Sequence, residues 1–138
     1  PAPGDLRLLV TRRDGRPFAV LYEPRVRDFE GEPIVLRSPT GSESFDRIRS
    51  VDYVDLEYEA TPDGLRATVA VPLSQIGLSP EPGGSVRMDV GYLFGNSSGT
   101  RTTVRAYAHN TSFTANVVND IPHESRLEPH QWGAVRIE

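Results

Sequence analysis

An alternation of apolar and polar residues over 54–71 constrains the fold of this chain more than any other sequence feature. Over 54–60 apolar side chains stand at every second position, with acidic residues between them. A period of two is that of a β-strand with one wet face. Residues 61–64, Thr-Pro-Asp-Gly, then supply turn chemistry before the alternation resumes. The segment predicts a β-hairpin in which Arg66 faces the acidic side chains across the pair.

Shorter strand signals run through the rest of the chain. Two apolar runs, 6–11 and 18–22, flank an Asp-Gly step and predict another hairpin. Residues 30–44 are rich in Gly, Pro and Ser, which predicts a long loop with one short edge strand at Ile34-Val35-Leu36. Further predictions are a helical turn at 72–78, one long strand at 86–94, a turn at 96–99, and strands at 102–107 and 133–138.

The class of fold follows from the number of strands and the spacing of the turns. The 12 Gly and 12 Pro are spread along the chain as punctuation between short apolar runs. About eight strands with regularly spaced turns predict an all-β fold, an antiparallel β-sandwich or jelly roll. A length of 138 residues suits a single domain, so residues 1–138 are predicted to form one domain. The first residue is Pro1, which indicates a processed product or a piece of a longer protein.

Composition and missing motifs argue against several classes of function. A net charge of −4 disfavours nucleic acid as a partner, because phosphate binding needs a basic face. No apolar run reaches the roughly 18 residues of a membrane helix, so no membrane insertion is expected. The absence of Cys excludes disulfides and thiolate metal sites. No Gly-x-Ser-x-Gly, no His-Glu-x-x-His and no phosphate-binding glycine loop occurs, and the chain is predicted not to be an enzyme.

An ordered series of short motifs runs through the second half of the chain. It comprises LRATVAVPLSQIGL at 65–78, a Pro/Gly turn, VRMDVGYLFG at 86–95, AYAHN at 106–110 and VNDIPHESRLEPHQWGAVRIE at 118–138. This series resembles the C-terminal portion of family 9 carbohydrate-binding modules and their DOMON-like relatives. The resemblance covers residues 54–138 well and the first hairpin loosely.

The resemblance implies a non-catalytic β-sandwich that tethers a larger, exported bacterial protein to a saccharide, with a secreted or periplasmic location. This chain departs from the family in two respects. Strands that precede the counterpart of 6–11 in the family are absent, which leaves a sheet edge for a neighbouring domain of the parent chain to pair. Sugar-binding members also use two aromatic platforms, whereas Trp132 is the one Trp here and stands in the terminal Trp-Gly motif as a core anchor.

The predicted ligand site lies in and beside the long irregular segment 108–131. Sugar recognition needs a flat apolar ring and planar polar side chains for the hydroxyl groups. The residues that supply both are Tyr107, His109, Asn110 and Phe113, with Asn96 across the preceding turn. The alternative is that the two rings pack under the loop and Asn110 caps a turn.

A metal site is the second hypothesis for this segment. Asn119, Asp120 and Glu124 offer oxygen ligands that suit Ca²⁺, although Asp120 is equally suited to forming a turn. The histidines His109, His123 and His130 lack zinc-site spacing.

Three functions remain open at this stage. The leading hypothesis is a carbohydrate-binding module. Its alternative is a structural or interaction domain without a sugar site, and a haem-binding DOMON-like domain is the weaker alternative.

Overall fold

The computed structural model describes residues 1–110 and 120–138, which form an all-β protein of antiparallel strand pairs. The all-β prediction is confirmed. The described strands are β1 (Arg7–Arg13), β2 (Arg16–Glu23), β3 (Ile34–Ser38), β4 (Gly41–Phe45), β5 (Arg47–Val51), β6 (Asp55–Thr61), β7 (Gly64–Ala70), β8 (Ser85–Met88), β9 (Gly91–Gly95), β10 (Thr102–Tyr107) and β11 (Gly133–Arg136). One short helix, α1 (Ile121–Ser125), and 3₁₀ turns at Leu73–Ile76 and Pro129–Gln131 accompany them. None of the described helices has the length and apolar character needed to cross a bilayer.

Contacts divide the chain into two compact units. The first unit contains residues 2–34 and 45–79, and the second contains residue 1, residues 35–44 and residues 80–138. The first unit holds a sheet with the strand order β1-β2-β5 and the hairpin β6–β7. The second holds the pairs β10–β9 and β11–β8 and most of the pair β3–β4.

Turn chemistry produces the β1–β2 hairpin as predicted. Asp14 and Gly15 both have positive φ, at 52° and 76°, which is the geometry of a two-residue turn between right-twisted strands. The register then pairs Arg13 with Arg16 next to the turn and Arg7 with Tyr22 at the far end. The β6–β7 hairpin is also confirmed, and Glu59 pairs with Arg66 across it through an ion pair of 3.0 Å.

The core of the first unit lies against the central strand β2. Ala19 and Leu21 of β2 are fully buried together with Val51 of β5 and Ile76 of the 3₁₀ turn. Half-buried apolar side chains from several elements pack around this cluster: Leu6, Leu8, Val10, Val54, Val71 and Leu78. The alternation in β1 therefore delivers its apolar face to this core, and Val54 and Val71, which flank the β6–β7 hairpin, pack against it.

The prediction of a long loop over 30–44 is wrong in part. Residues 34–45 contain the strands β3 and β4, and β5 follows them as the third strand of the first sheet. Hydropathy missed β5 because its Arg47 and Arg49 lie beside Glu23 instead of in an apolar core. Backbone pairing with β2 holds this strand in place, and backbone hydrogen bonds do not require apolar side chains.

A prediction of acid sensitivity follows from Glu23, at the end of β2. Arg47 donates from Nε and Nη2 to the two Glu23 carboxylate oxygens at 2.6 and 2.7 Å, and Arg49 Nε lies 3.3 Å from Oε2. These hydrogen bonds from Arg47, together with the charges of both arginines, hold the pKa of Glu23 below its ordinary value of 4.5. The unfolded chain therefore binds this proton more readily, so the stabilisation is present above pH 4.5 and is lost as the pH falls through the lowered folded value.

We therefore expect Glu23→Gln to flatten the fall in stability on acidification below pH 4.5. Urea unfolding at a series of pH values measures the slope. Glu57→Gln is the matched control, since Glu57 is exposed on β6 and forms no ion pair with a described residue. Identical slopes for the two variants would contradict the role given to Glu23.

The single long strand predicted over 86–94 is divided in two at Asp89, so that prediction is wrong. The preceding strand, β8, pairs with β11, whereas the following strand, β9, pairs with β10. The Asp89 carboxylate accepts hydrogen bonds from the backbone N–H groups of Val90, His109 and Asn110. Because these N–H groups bond to the Asp89 side chain, they do not form backbone hydrogen bonds between strands. The chain therefore changes its pairing partner at Asp89.

The hairpin β9–β10 presents an apolar face to solvent. Phe94 stands opposite Val104 in the register, and both side chains are about half exposed. Tyr92 stacks on Phe94 with ring centroids 5.9 Å apart, and Val90 continues the face. We call these four residues the β9–β10 apolar face. A single strand over 86–94 would place its even-numbered residues on one face, and three of these, Met88, Val90 and Phe94, are solvent exposed.

Candidate functional site

Asn110, near the start of the segment predicted to bind ligand, belongs to a polar network in the second unit. Asn110 is 4% exposed, and its Nδ2 donates to Glu128 Oε2 at 2.9 Å. Gln131 Nε2 donates to the same carboxylate oxygen at 2.9 Å. The Asn110 backbone amide is bound by Asp89 Oδ2 at 2.9 Å. Asn110 is therefore bonded to Asp89 through its backbone and to Glu128 through its side chain. Because the side chain is buried, it does not offer hydrogen bonds to a sugar.

Tyr107 and His109 lie near this network in different surroundings. The Tyr107 ring covers Gly91 in the neighbouring strand, where an added Cβ would lie 2.4 Å from Tyr107 Cδ1. Glycine at 91 is what allows this half-buried ring to lie flat on the backbone. The His109 ring lies over Gly133 at the start of β11, and the residue is exposed. The structure thus brings Tyr107, His109 and Asn110 together at one end of β10.

Asn96 lies at the other end of the same hairpin. Gly91 pairs with Tyr107, and Asn96 lies five residues beyond Gly91, so Asn96 is roughly 16 Å along the strands from Tyr107. Its Oδ1 accepts from the Thr100 N–H at 2.8 Å, and its Nδ2 donates to the hydroxyl groups of Ser98 and Thr100. Asn96 is the organising side chain of its turn, and the structure does not bring it to the other predicted ligand residues. Phe113 lies outside the described residues.

The predicted metal ligands Asp120 and Glu124 belong to different local networks. Asp120 caps α1 by accepting from the His123 N–H at 2.8 Å, and it also accepts from the hydroxyl groups of Ser38 and Thr40. The bond from the His123 amide, assisted by the Ser38 hydroxyl, lowers the pKa of Asp120. Among residues 1–110 and 120–138, no group of three His, Asp or Glu side chains is arranged to hold a metal ion. Asn119 lies outside these residues.

Glu124 forms an ion pair with a buried arginine. Arg105 of β10 is 1% exposed, and its Nη2 lies 3.1 Å from Glu124 Oε1. The Thr102 hydroxyl donates to the same oxygen at 2.8 Å. Glu124 therefore balances the charge of a buried side chain, which is a structural task.

The three histidines do not converge in the described structure. His109 lies over Gly133, and His130 lies in the second 3₁₀ turn. His123 lies on α1 with its Nδ1 3.4 Å from Asp120 Oδ1. Their positions in the described part of the chain assign no shared ligand to them.

A different residue, Tyr53, combines an exposed ring with a concave surface. Its side chain is 68% exposed and lines an open groove of about 580 Å³ in the first unit. We call this the Tyr53 groove. Its lining residues are Asp52, Tyr53, Val54, Asp55, Ala70, Val71 and Pro72.

Local structure explains why the Tyr53 ring is held at the surface. Val51 ends β5 in the core, the chain bends at Asp52, and β6 begins at Asp55 opposite Ala70. Val54 and Val71 pack against the core cluster and fix the two walls of the groove. A phenol ring and two carboxylates that line one groove, on a backbone anchored to the core, are the components of a binding surface for a polyhydroxylated ring.

Sequence analysis missed Tyr53, although the alternation contained a usable signal. Counting back by two from the acidic positions of β6 places Tyr53 on the wet face together with Asp55 and Glu57. A large aromatic side chain on a face that is otherwise acidic is the exception to the pattern. Such exceptions indicate a surface role, since the strand gains no core burial from them.

Comparison with known proteins adds no family to these observations. No protein-family model, no curated protein and no solved structure matches the chain.

Proposed function

We propose that this chain is a non-catalytic carbohydrate-binding module whose ligand surface is the Tyr53 groove. The observation that carries the proposal is the 68% exposure of Tyr53 inside a groove lined by Asp52 and Asp55. The face of an aromatic ring matches the C–H face of a pyranose, and carboxylate oxygens accept hydrogen bonds from its hydroxyl groups. The groove is open to solvent, so it would contact a sugar on one face through the Tyr53 ring.

The proposal keeps the expected class of function and moves the site. The expected position was in and beside residues 108–131, but Asn110 is buried against Glu128, and Asn96 forms its hydrogen bonds within its own turn. The motif series that resembles family 9 modules supports a sandwich architecture and an exported parent protein as parts of the same proposal.

Titration calorimetry and ¹H–¹⁵N NMR with a panel of mono- and oligosaccharides test this function. We expect saturable binding that Tyr53→Ala weakens about tenfold or more, the loss of roughly 1.4 kcal/mol or more of ring contact. Tyr53→Phe should retain binding, because the ring face remains. Tyr58→Ala is the matched control, since Tyr58 is an exposed tyrosine outside the groove that stacks with Arg12.

Two results would overturn the proposal. Binding that survives Tyr53→Ala unchanged would exclude the groove, and Tyr107→Ala would then test the originally expected site. The absence of binding by a folded protein across the panel would reject the carbohydrate function. Repeating the titration with Ca²⁺ and with EDTA tests whether a metal ion takes part, and a Soret band would reveal haem.

The β9–β10 apolar face favours a second candidate, a structural or interaction domain. Val90 and Val104 are each more than half exposed and lie beside the stacked pair of Tyr92 and Phe94. Contiguous apolar surface of this kind is often a protein contact. If no saccharide binds, Val104→Asp should weaken any association that sedimentation detects, whereas Leu65→Asp, at an exposed apolar residue of β7 outside this face, should not.

A further inference from the structure

The charge around the Tyr53 groove narrows the class of sugar that it would select. Asp52 and Asp55 line the groove, and neither forms an ion pair with any arginine or histidine among the described residues. Glu57 follows on the same exposed face of β6 and is likewise without a described ion pair. Along this face, the first carboxylate with an ion pair is that of Glu59, whose Oε2 lies 3.0 Å from Arg66 Nη1. The carboxylates at the groove end of β6 are therefore without a described ion pair, whereas Glu59, nearer the turn, is paired with Arg66.

Resting on the proposed function, we propose that the Tyr53 groove selects saccharides that carry a protonated amine, such as glucosamine units, over their N-acetylated or uncharged counterparts. An ammonium group forms charge-assisted hydrogen bonds with Asp52 or Asp55 and is attracted to the face of the Tyr53 ring. N-acetylation removes the positive charge, and with it the charge-assisted hydrogen bonds and the attraction to the ring face. Stacking of the sugar on the Tyr53 ring remains. A uronic acid or sulfated sugar would bring like charge to the groove and is rejected.

The test compares the tetrasaccharides of glucosamine, N-acetylglucosamine and glucose by calorimetry at the same pH and ionic strength. We expect the glucosamine tetramer to bind about fivefold more tightly or better than the other two, from two exposed charge pairs worth up to about a factor of five each. This preference should shrink between 0.05 and 0.5 M NaCl, since salt screens exposed charges.

Variants of the groove separate charge from stacking. Asp52→Asn with Asp55→Asn should abolish the preference, so that the glucosamine and glucose tetramers bind this variant with equal affinity. Glu59→Gln is the matched control, because this carboxylate lies on the same face but is paired with Arg66. Circular dichroism melting of each variant confirms that the fold is retained.

The outcomes distinguish the two proposals. Equal affinity for the three tetramers, all of it lost in Tyr53→Ala, would overturn the selectivity for amines and retain the carbohydrate site. A glucosamine preference unchanged in the double Asn variant would also overturn it. No binding of any tetramer, or binding insensitive to Tyr53→Ala, would overturn the carbohydrate site and the selectivity together.

Discussion

Replacing Leu21 by alanine is expected to lower the free energy of unfolding by about 2–5 kcal/mol, the usual cost of truncating a buried leucine. Leu21 is fully buried in the central strand of the β1-β2-β5 sheet, in one cluster with Ala19, Val51 and Ile76. Pairing to β1 on one side and β5 on the other fixes the backbone at this position. A strand held on both edges cannot move inward to fill the space, so the upper part of the range is expected.

Chemical denaturation of the two proteins measures this difference. Leu65→Ala is the matched control, because it removes the same atoms from a leucine that is about half exposed on β7. Surface substitutions usually change stability by less than about 0.5 kcal/mol, so the two losses should differ several-fold. Comparable losses would mean that the cluster around Leu21 is not the core of the first unit.

Replacing Glu124 by alanine is the second large expected effect. Arg105 is 1% exposed, and Glu124 accepts from its Nη2 at 3.1 Å while also accepting from the Thr102 hydroxyl at 2.8 Å. Removing Glu124 takes a carboxylate away from the buried guanidinium, and breaking a buried pair costs about 3–5 kcal/mol when both partners are buried. Glu124 is one-third exposed, so about 3 kcal/mol is expected, the low end of that range.

Replacing the arginine should cost less than replacing the glutamate. Arg105→Met leaves a buried apolar chain of similar length, and the remaining Glu124 can be hydrated through its exposed third. Glu43→Ala is a control in the same unit, since it breaks a pair with the more exposed Arg126 at 2.6 Å and should cost about 1 kcal/mol or less. Denaturation midpoints rank the three variants. An Arg105→Met loss larger than that of Glu124→Ala would reject the explanation from the buried charge.

The predicted ligand residues show why a site is harder to read from sequence than a strand. Asn110 and Glu124 were selected for their chemistry, and each is engaged by a residue that is distant along the chain, Glu128 for the first and Arg105 for the second. Residue type indicates which hydrogen bonds a side chain can form. It does not indicate whether the folded protein has already used them. Tyr53 was overlooked because the exposure of its ring, which makes it a candidate for binding, is not visible in the sequence.

Local rules in the sequence determined the hairpins of this protein. The β6–β7 hairpin, the Asp14-Gly15 turn and the 3₁₀ turn at 73–76 depend on neighbouring residues, and the structure has each of them. The steric preferences of the backbone act over a few neighbouring residues, so a short sequence pattern is enough to predict these turns and hairpins.

Only the tertiary structure decided where the chain changes partners and which side chains meet water. The interruption at Asp89 requires the amides of His109 and Asn110, and the pairing of β5 with β2 joins segments separated by the β3–β4 hairpin. The burial of Arg105 and the exposure of Tyr53 likewise depend on what packs from elsewhere in the chain. Burial is a property of the assembled surface, and no local pattern specifies the residues that cover a given side chain.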